Sequence, residues 1–188
     1  MPSKREVAAA LYGAWRLLRF DARGFAWFDL TIAGFWRSFF AAALAAPAFL
    51  ILVALDLARR ETPVDGGWAT LVLALAYAAE WIAFPLAAIF ITRLLGLTKG
   101  YVPLIVAGNW ISVPQSALVA FAGAIDEWGG LAGVIGPFIT LATTLYVLIY
   151  QWFVTRLALD TSGLTAVGVV ILQILIVDFI HLGAMALI

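Results

Sequence analysis

The stretch Gly66–Leu97, GGWATLVLALAYAAEWIAFPLAAIFITRLLGL, constrains this chain more than any other. About 20 apolar residues of helix cross a hydrocarbon core, so it spans with residues to spare. Yet Glu80 stands near its middle. An ionisable group at that depth costs roughly 2.5–3.5 kcal/mol on insertion scales, so a compensating partner is expected elsewhere in the chain.

Four further apolar runs place the chain in the membrane class. Of its 188 residues 65% are apolar and only 12% charged, against about 25% charged in a soluble domain. No cysteine and a single histidine exclude disulfides and thiolate metal sites, and they make a histidine metal cluster untenable. There is no phosphate loop, metal motif or basic nucleic-acid patch. No cofactor, metal or nucleic-acid partner is expected, and the bilayer is the first partner.

Residues 1–24 read as a cytoplasmic, amphipathic segment. Val7, Leu11, Ala14 and Leu18 follow helical spacing beside Trp15, with Arg5, Glu6, Ala9 and Arg16 on the far side. This pattern suits an interfacial helix on anionic lipid, with Arg5, Trp15, Arg16, Arg19 and Trp27 as the membrane-surface residues. The alternative is a helix packed on the protein's own loops. Charged residues interrupt the N-terminal region, so no signal peptide is read there.

Residues 25–188 read as one all-α, polytopic domain with spans at about 30–55, 67–95, 102–124, 131–159 and 163–188. The basic residues of the N-terminal segment, Arg93, Lys99 and Arg156 fall on one side. On the other, Arg59 and Arg60 are offset by Asp56, Glu61 and Asp65, and the third loop carries Asp126 and Glu127. The positive-inside rule then puts the N-terminus in the cytoplasm and the C-terminus on the opposite side, in a cell membrane of bacterial inner-membrane type.

An internal repeat is also legible. Ala33-Gly34-Phe35-Trp36-Arg37-Ser38 returns as Ala107-Gly108-Asn109-Trp110-Ile111-Ser112, and Ile91-Thr92-Arg93-Leu94 as Val154-Thr155-Arg156-Leu157. Gly66-Gly67-Trp68-Ala69 similarly matches Gly129-Gly130-Leu131-Ala132. Two parallel-repeat hairpins followed by a single helix are expected. Arg37 and Glu80 both lie in the first copy, and their counterparts are Ile111 and Thr143. Their depths differ by about one turn of helix, so a buried Arg37–Glu80 ion pair is expected. Asp178 and snorkelling to headgroups are the rival fates for Arg37.

The fifth span adds Asp178 and His181, three residues apart on one helical face. With Asn109 and Gln115 they are candidates for a polar path through the bilayer. Asn109, Gln115 and Gln151 can also bond between helices. Pro85 and Pro114 predict kinks one turn upstream. Gly34/Ser38, Gly108/Ser112 and Gly129/Gly133 stand at the four-residue spacing of close helix approach.

Arg93-Leu94-Leu95-Gly96-Leu97-Thr98-Lys99-Gly100-Tyr101, entering a third span with Pro114 inside it, resembles the membrane domain of the Yip (Ypt-interacting protein) family and its bacterial relatives. The resemblance covers most of the chain by topology and this short stretch by motif. It implies five spans and a non-enzymatic protein with no catalytic residues, acting as a scaffold or accessory subunit among other membrane-protein subunits or copies of itself. The acidic Asp-Leu-Tyr-Gly-Pro-like element of the eukaryotic members is missing, so GTPase binding is not carried over. The alternative function is a small transporter or channel using Glu80, Asp178 and His181.

Overall fold

The computed structural model describes residues 1–59, 65–128 and 135–188. Every described element is helical: α1 (Lys4–Leu18), α2 (Ile32–Ser38), α3 (Ala41–Ala58), α4 (Gly66–Leu94), α5 (Tyr101–Trp128), α6 (Ile135–Leu159) and α7 (Gly163–Leu187). Short 3-10 segments at Ala22–Trp27 and Thr98–Gly100 join them. Five stretches are long and apolar enough to cross a membrane, with α2 and α3 counted together. The chain is a multi-pass, all-α membrane protein. The repeat element Gly129-Gly130-Leu131-Ala132 and the pair Gly129/Gly133 lie outside the described residues.

Local chemistry sets the helix ends. Asp65 caps α4 by accepting from the N–H groups of Gly67 and Trp68, and Ser162 caps α7 through Thr165. Gly96, at φ 70°, takes the left-handed turn that ends α4. It lets the Leu97 N–H bond back to the Thr92 carbonyl at 2.7 Å. α4 and α5 run helical through Pro85 and Pro114.

α5 is the central post, packed against α6, α3, α1 and α2. Asp126 and Glu127, expected in a loop, are in its last turn. They meet Arg59 just past α3, at 3.3 and 2.9 Å, so α3 and α5 run in the same direction. α4 packs mainly on α7, and the Trp68 indole N–H donates to the Leu187 carbonyl at 2.8 Å.

The first predicted span is broken. Its helix stops at Ser38 and restarts at Ala41, with tight-turn bonds from the Phe40 N–H to Arg37 O and the Ala42 N–H to Phe39 O. The Ser38 hydroxyl takes the Phe35 carbonyl at 2.7 Å, diverting a ladder acceptor at the break. Arg37 therefore ends a short helix at the α1 end of the bundle.

There the Arg37 guanidinium is held by two acids. Nε lies 2.9 Å from Glu6 of α1, and Nη2 lies 2.5 Å from Asp29. Glu6 also closes the α1 capping box, accepting from the Ser3 N–H at 3.0 Å. The expected pair with Glu80 is thus not formed, and neither is one with Asp178. Arg37 is occupied by carboxylates nearer in the chain that lie on its own level.

α1 itself departs from the interfacial expectation. Its apolar stripe faces protein, not lipid: Ala10, Ala14 and Leu17 are buried in a cluster with Val106, Ala107, Trp110, Tyr150 and Val154, and Val7, Leu11 and Leu18 pack on it. The fully buried Tyr150 donates its hydroxyl to Ala14 O at 2.7 Å, and Tyr146 donates to Leu18 O. Gly13 and Gly24 cross in contact, since a Cβ on Gly13 would sit 2.8 Å from the Gly24 carbonyl. The stripe is covered because α5 and α6 offer a complementary apolar face to a helix already tethered by Arg37. Trp15 and Trp27 remain about half exposed, at 48% and 46%. Arg19 stacks over Trp15 at 4.9 Å and Arg5 is exposed, while Arg16 is tied to Asp21.

Asp21 and Asp29 are held below the usual carboxylate range. Hydrogen bonds from Arg23 and then Arg16 do this for Asp21, and the Thr31 hydroxyl and N–H, with Arg37, do it for Asp29. Lowered carboxylates contribute stability in full above the unfolded value, about 3.9, and lose it as pH falls through the folded one. Amide exchange in α1, measured relative to the intrinsic rate at each pH, should therefore accelerate below about pH 4. Arg37→Met should raise it several-fold already at neutral pH, since partly exposed pairs contribute on the order of 1 kcal/mol or less each. Unchanged exchange in that variant would contradict the clamp.

Candidate functional site at Glu80

On α4, Tyr77, Glu80, Trp81 and Phe84 stand three and four residues apart, so one face carries them all. On α5, Gly108, Ser112 and Ser116 form a stripe at four-residue spacing beside Asn109. α3 and α4 do not pack closely on one another, because α3 leans on α5 and α4 on α7. The gap between them is a recess of about 260 Å³ lined by all eight of these residues, with Ala45, Phe49 and Leu52 of α3 and Gln173 of α7 among the rest.

Aromatic rings and small hydroxyls set its character. The Tyr77 hydroxyl donates to Ala42 O at 2.6 Å, and its ring lies 4.5 Å from Phe49 and 6.1 Å from Trp81. The contacts with Ala42 and Phe49 tie α3 to α4 across the gap. Ser112 and Ser116 donate to carbonyls of their own helix, Asn109 O and Val113 O, at 2.6 and 3.0 Å. Glu80 has no ion-pair or hydrogen-bond partner among the described residues. A smaller space of about 50 Å³ shares Ser112 and Gln173 with the recess and is lined also by Gln115 and Gln151. The Gln115 amide nitrogen is buried there without a partner.

Asn109 donates to Ser38 at 2.9 Å. This bond joins α2 to α5 between non-equivalent positions of the two similar segments, since Asn109 stands where Phe35 does and Ser38 where Ser112 does.

Of the residues singled out in the sequence, the structure gathers Glu80, Asn109 and Gln115 around these two adjoining spaces. It leaves Asp178 and His181 out. Both are exposed on α7, and no ion pair joins them. The helix face turned to α4 and α6 passes through Val169, Val170 and Gln173 instead. Tyr77, Trp81 and Ser116 were not marked as site residues, although their spacing from Glu80 and Ser112 carries the signal. Among the described residues no group of three histidines, cysteines or carboxylates could hold a metal.

The fold and recess define a multi-pass helical membrane protein with a mostly apolar intramembrane pocket that holds a few polar groups. No family model, curated protein or solved structure matches the chain.

A double-mutant cycle separates the observed pairing from the expected one. Arg37→Met and Glu80→Gln should combine additively within about 0.5 kcal/mol. Arg37→Met and Glu6→Gln should couple by roughly 0.5–1 kcal/mol, read from unfolding in mixed micelles. Coupling of Arg37 to Glu80 above that to Glu6 would reverse the assignment.

Proposed function

We propose that the chain is a non-enzymatic, small-solute-binding membrane protein of transporter type, and that Glu80 is the counter-charge for a ligand carrying a small organic cation. One observation carries this reading. Glu80 faces a recess rather than a partner, and the recess walls are rings (Phe49, Tyr77, Trp81, Phe84) with a few hydroxyls and amides. Aromatic faces attract desolvated cations, and a mostly apolar pocket with a few convergent polar groups is the usual form of a small-molecule site. At about 260 Å³ it suits a compact amine rather than a lipid. The basic bias of the α1 end supports a cytoplasmic N-terminus in a cell membrane.

The Yip-like scaffold reading rests on topology and the Arg93–Tyr101 stretch, and α1 would be its natural docking surface. It is less favoured because the apolar stripe of α1 is already covered by α5 and α6. Assembly retains support from a different place, the exposed Asp178 and His181 of α7.

Binding to the reconstituted protein tests the proposal with phenethylamine and its uncharged isostere 2-phenylethanol. The amine should bind at least tenfold tighter, and Glu80→Gln should remove the difference. Gly108→Leu should block both probes, because a Cβ on Gly108 meets nothing within 4 Å and a longer side chain would occupy the recess. Equal affinities for the two probes, or full amine binding by Glu80→Gln, would overturn the reading.

A further inference from the structure

Val167, Ile171, Ile174, Asp178 and His181 succeed one another on α7 at intervals of four, three, four and three residues. That is the period of a left-handed helix–helix seam. Most of it is uncovered by any described element: Val167 and Ile171 are 41% and 51% exposed, Asp178 and His181 are exposed as well, and Ile174 is half-buried. Along its first three residues the seam borders a groove of about 350 Å³, walled on the α6 side by Leu148, Ile149 and Trp152. The groove has no polar lining. Above it the seam turns ionisable, near the middle of a helix of membrane-spanning length. Ionisable side chains at that depth pair with one another or face a bundle interior. Asp178 and His181 do neither within the described chain.

We propose that α7 is the interface for a second copy of this chain. Two copies inserted in the same topology run their α7 helices parallel about a two-fold axis, the commonest closed symmetry. Equivalent seam layers then lie side by side. The Asp178 and His181 layers are about 4.5 Å apart along the axis, so the carboxylate of each copy meets the imidazole of the other, twice. This complementarity of acceptor and donor within one sequence selects a second copy over an unrelated helix, which would have to bring its own polar partner to that depth. The apolar part of the partner seam fills the groove beside α6. The interface is separate from the Glu80 recess and does not depend on its ligand.

The chain has no cysteine, so single-cysteine variants of the full protein report the seam directly in liposomes. Under a mild oxidant, Ile174→Cys should form disulfide dimers at least tenfold faster than Phe179→Cys, whose side chain is 80% exposed but off the seam. Adding Asp178→Leu to Ile174→Cys should slow cross-linking at least tenfold, and this change places no new charge in the bilayer. The reciprocal exchange, Asp178→His with His181→Asp, should restore it. Three outcomes would overturn the proposal: equal rates at positions 174 and 179, cross-linking indifferent to Asp178→Leu, or a chain that stays monomeric in liposomes with lipid in the groove.

Discussion

The guanidinium of Arg37 organises one end of this molecule. It is shared between Glu6 on α1 and Asp29 before α2, so a helix that could have lain on the membrane is fixed to the bundle. Once α1 is fixed, its stripe of Ala10, Ala14 and Leu17 meets Val106, Ala107, Trp110 and Tyr150. Burial of that stripe then contributes far more than the ion pairs, which are partly exposed and individually worth little. The clamp sets geometry, and apolar burial supplies the energy.

The same clamp explains why Glu80 stands alone. A chain this poor in charge has few cations to offer an intramembrane acid, and the nearest in the first span is held elsewhere. Nor does packing hide Glu80. α3 and α4 diverge onto different neighbours, and among the described residues Tyr77 ties them back, through Ala42 and Phe49. In hydrocarbon the backbone of each helix satisfies itself, so two adjacent helices can separate without orphaning backbone groups. The cost falls on side chains, and the residues lining the gap are suited to it. Serines bond to their own helix, and rings carry little polar surface.

Much of the fold was legible in the sequence, because apolar length is a direct reading of what a bilayer demands. All five spans appear where the runs lie, and the ends of α4 and α7 follow from Asp65 and Ser162. What escaped was tertiary. The 3.6-residue pattern of α1 marks an apolar face but cannot say whether lipid or α5 covers it. Depth along a helix put Arg37 and Glu80 within about a turn of each other, yet depth ignores azimuth and the break after Ser38. Asp178 and His181 carry the same limitation: shared-face spacing was correct, but the face they share is the outer one. At the site, Glu80, Asn109 and Gln115 were visible as polar residues out of place. Tyr77 and Trp81 look like ordinary apolar filling until α3 is seen to stand away from them.

The central claim is that Glu80 borders an accessible recess, neither sealed in an ion pair nor turned to lipid. The reaction of Glu80→Cys with a cationic methanethiosulfonate in proteoliposomes measures this directly, with Ile82→Cys, 55% exposed on another face of the same helix, as the reference. The account predicts rapid modification at position 80, slowed by a second substitution, Gly108→Leu, and little at position 82. No reaction at position 80, or equal reaction at both positions, would contradict it.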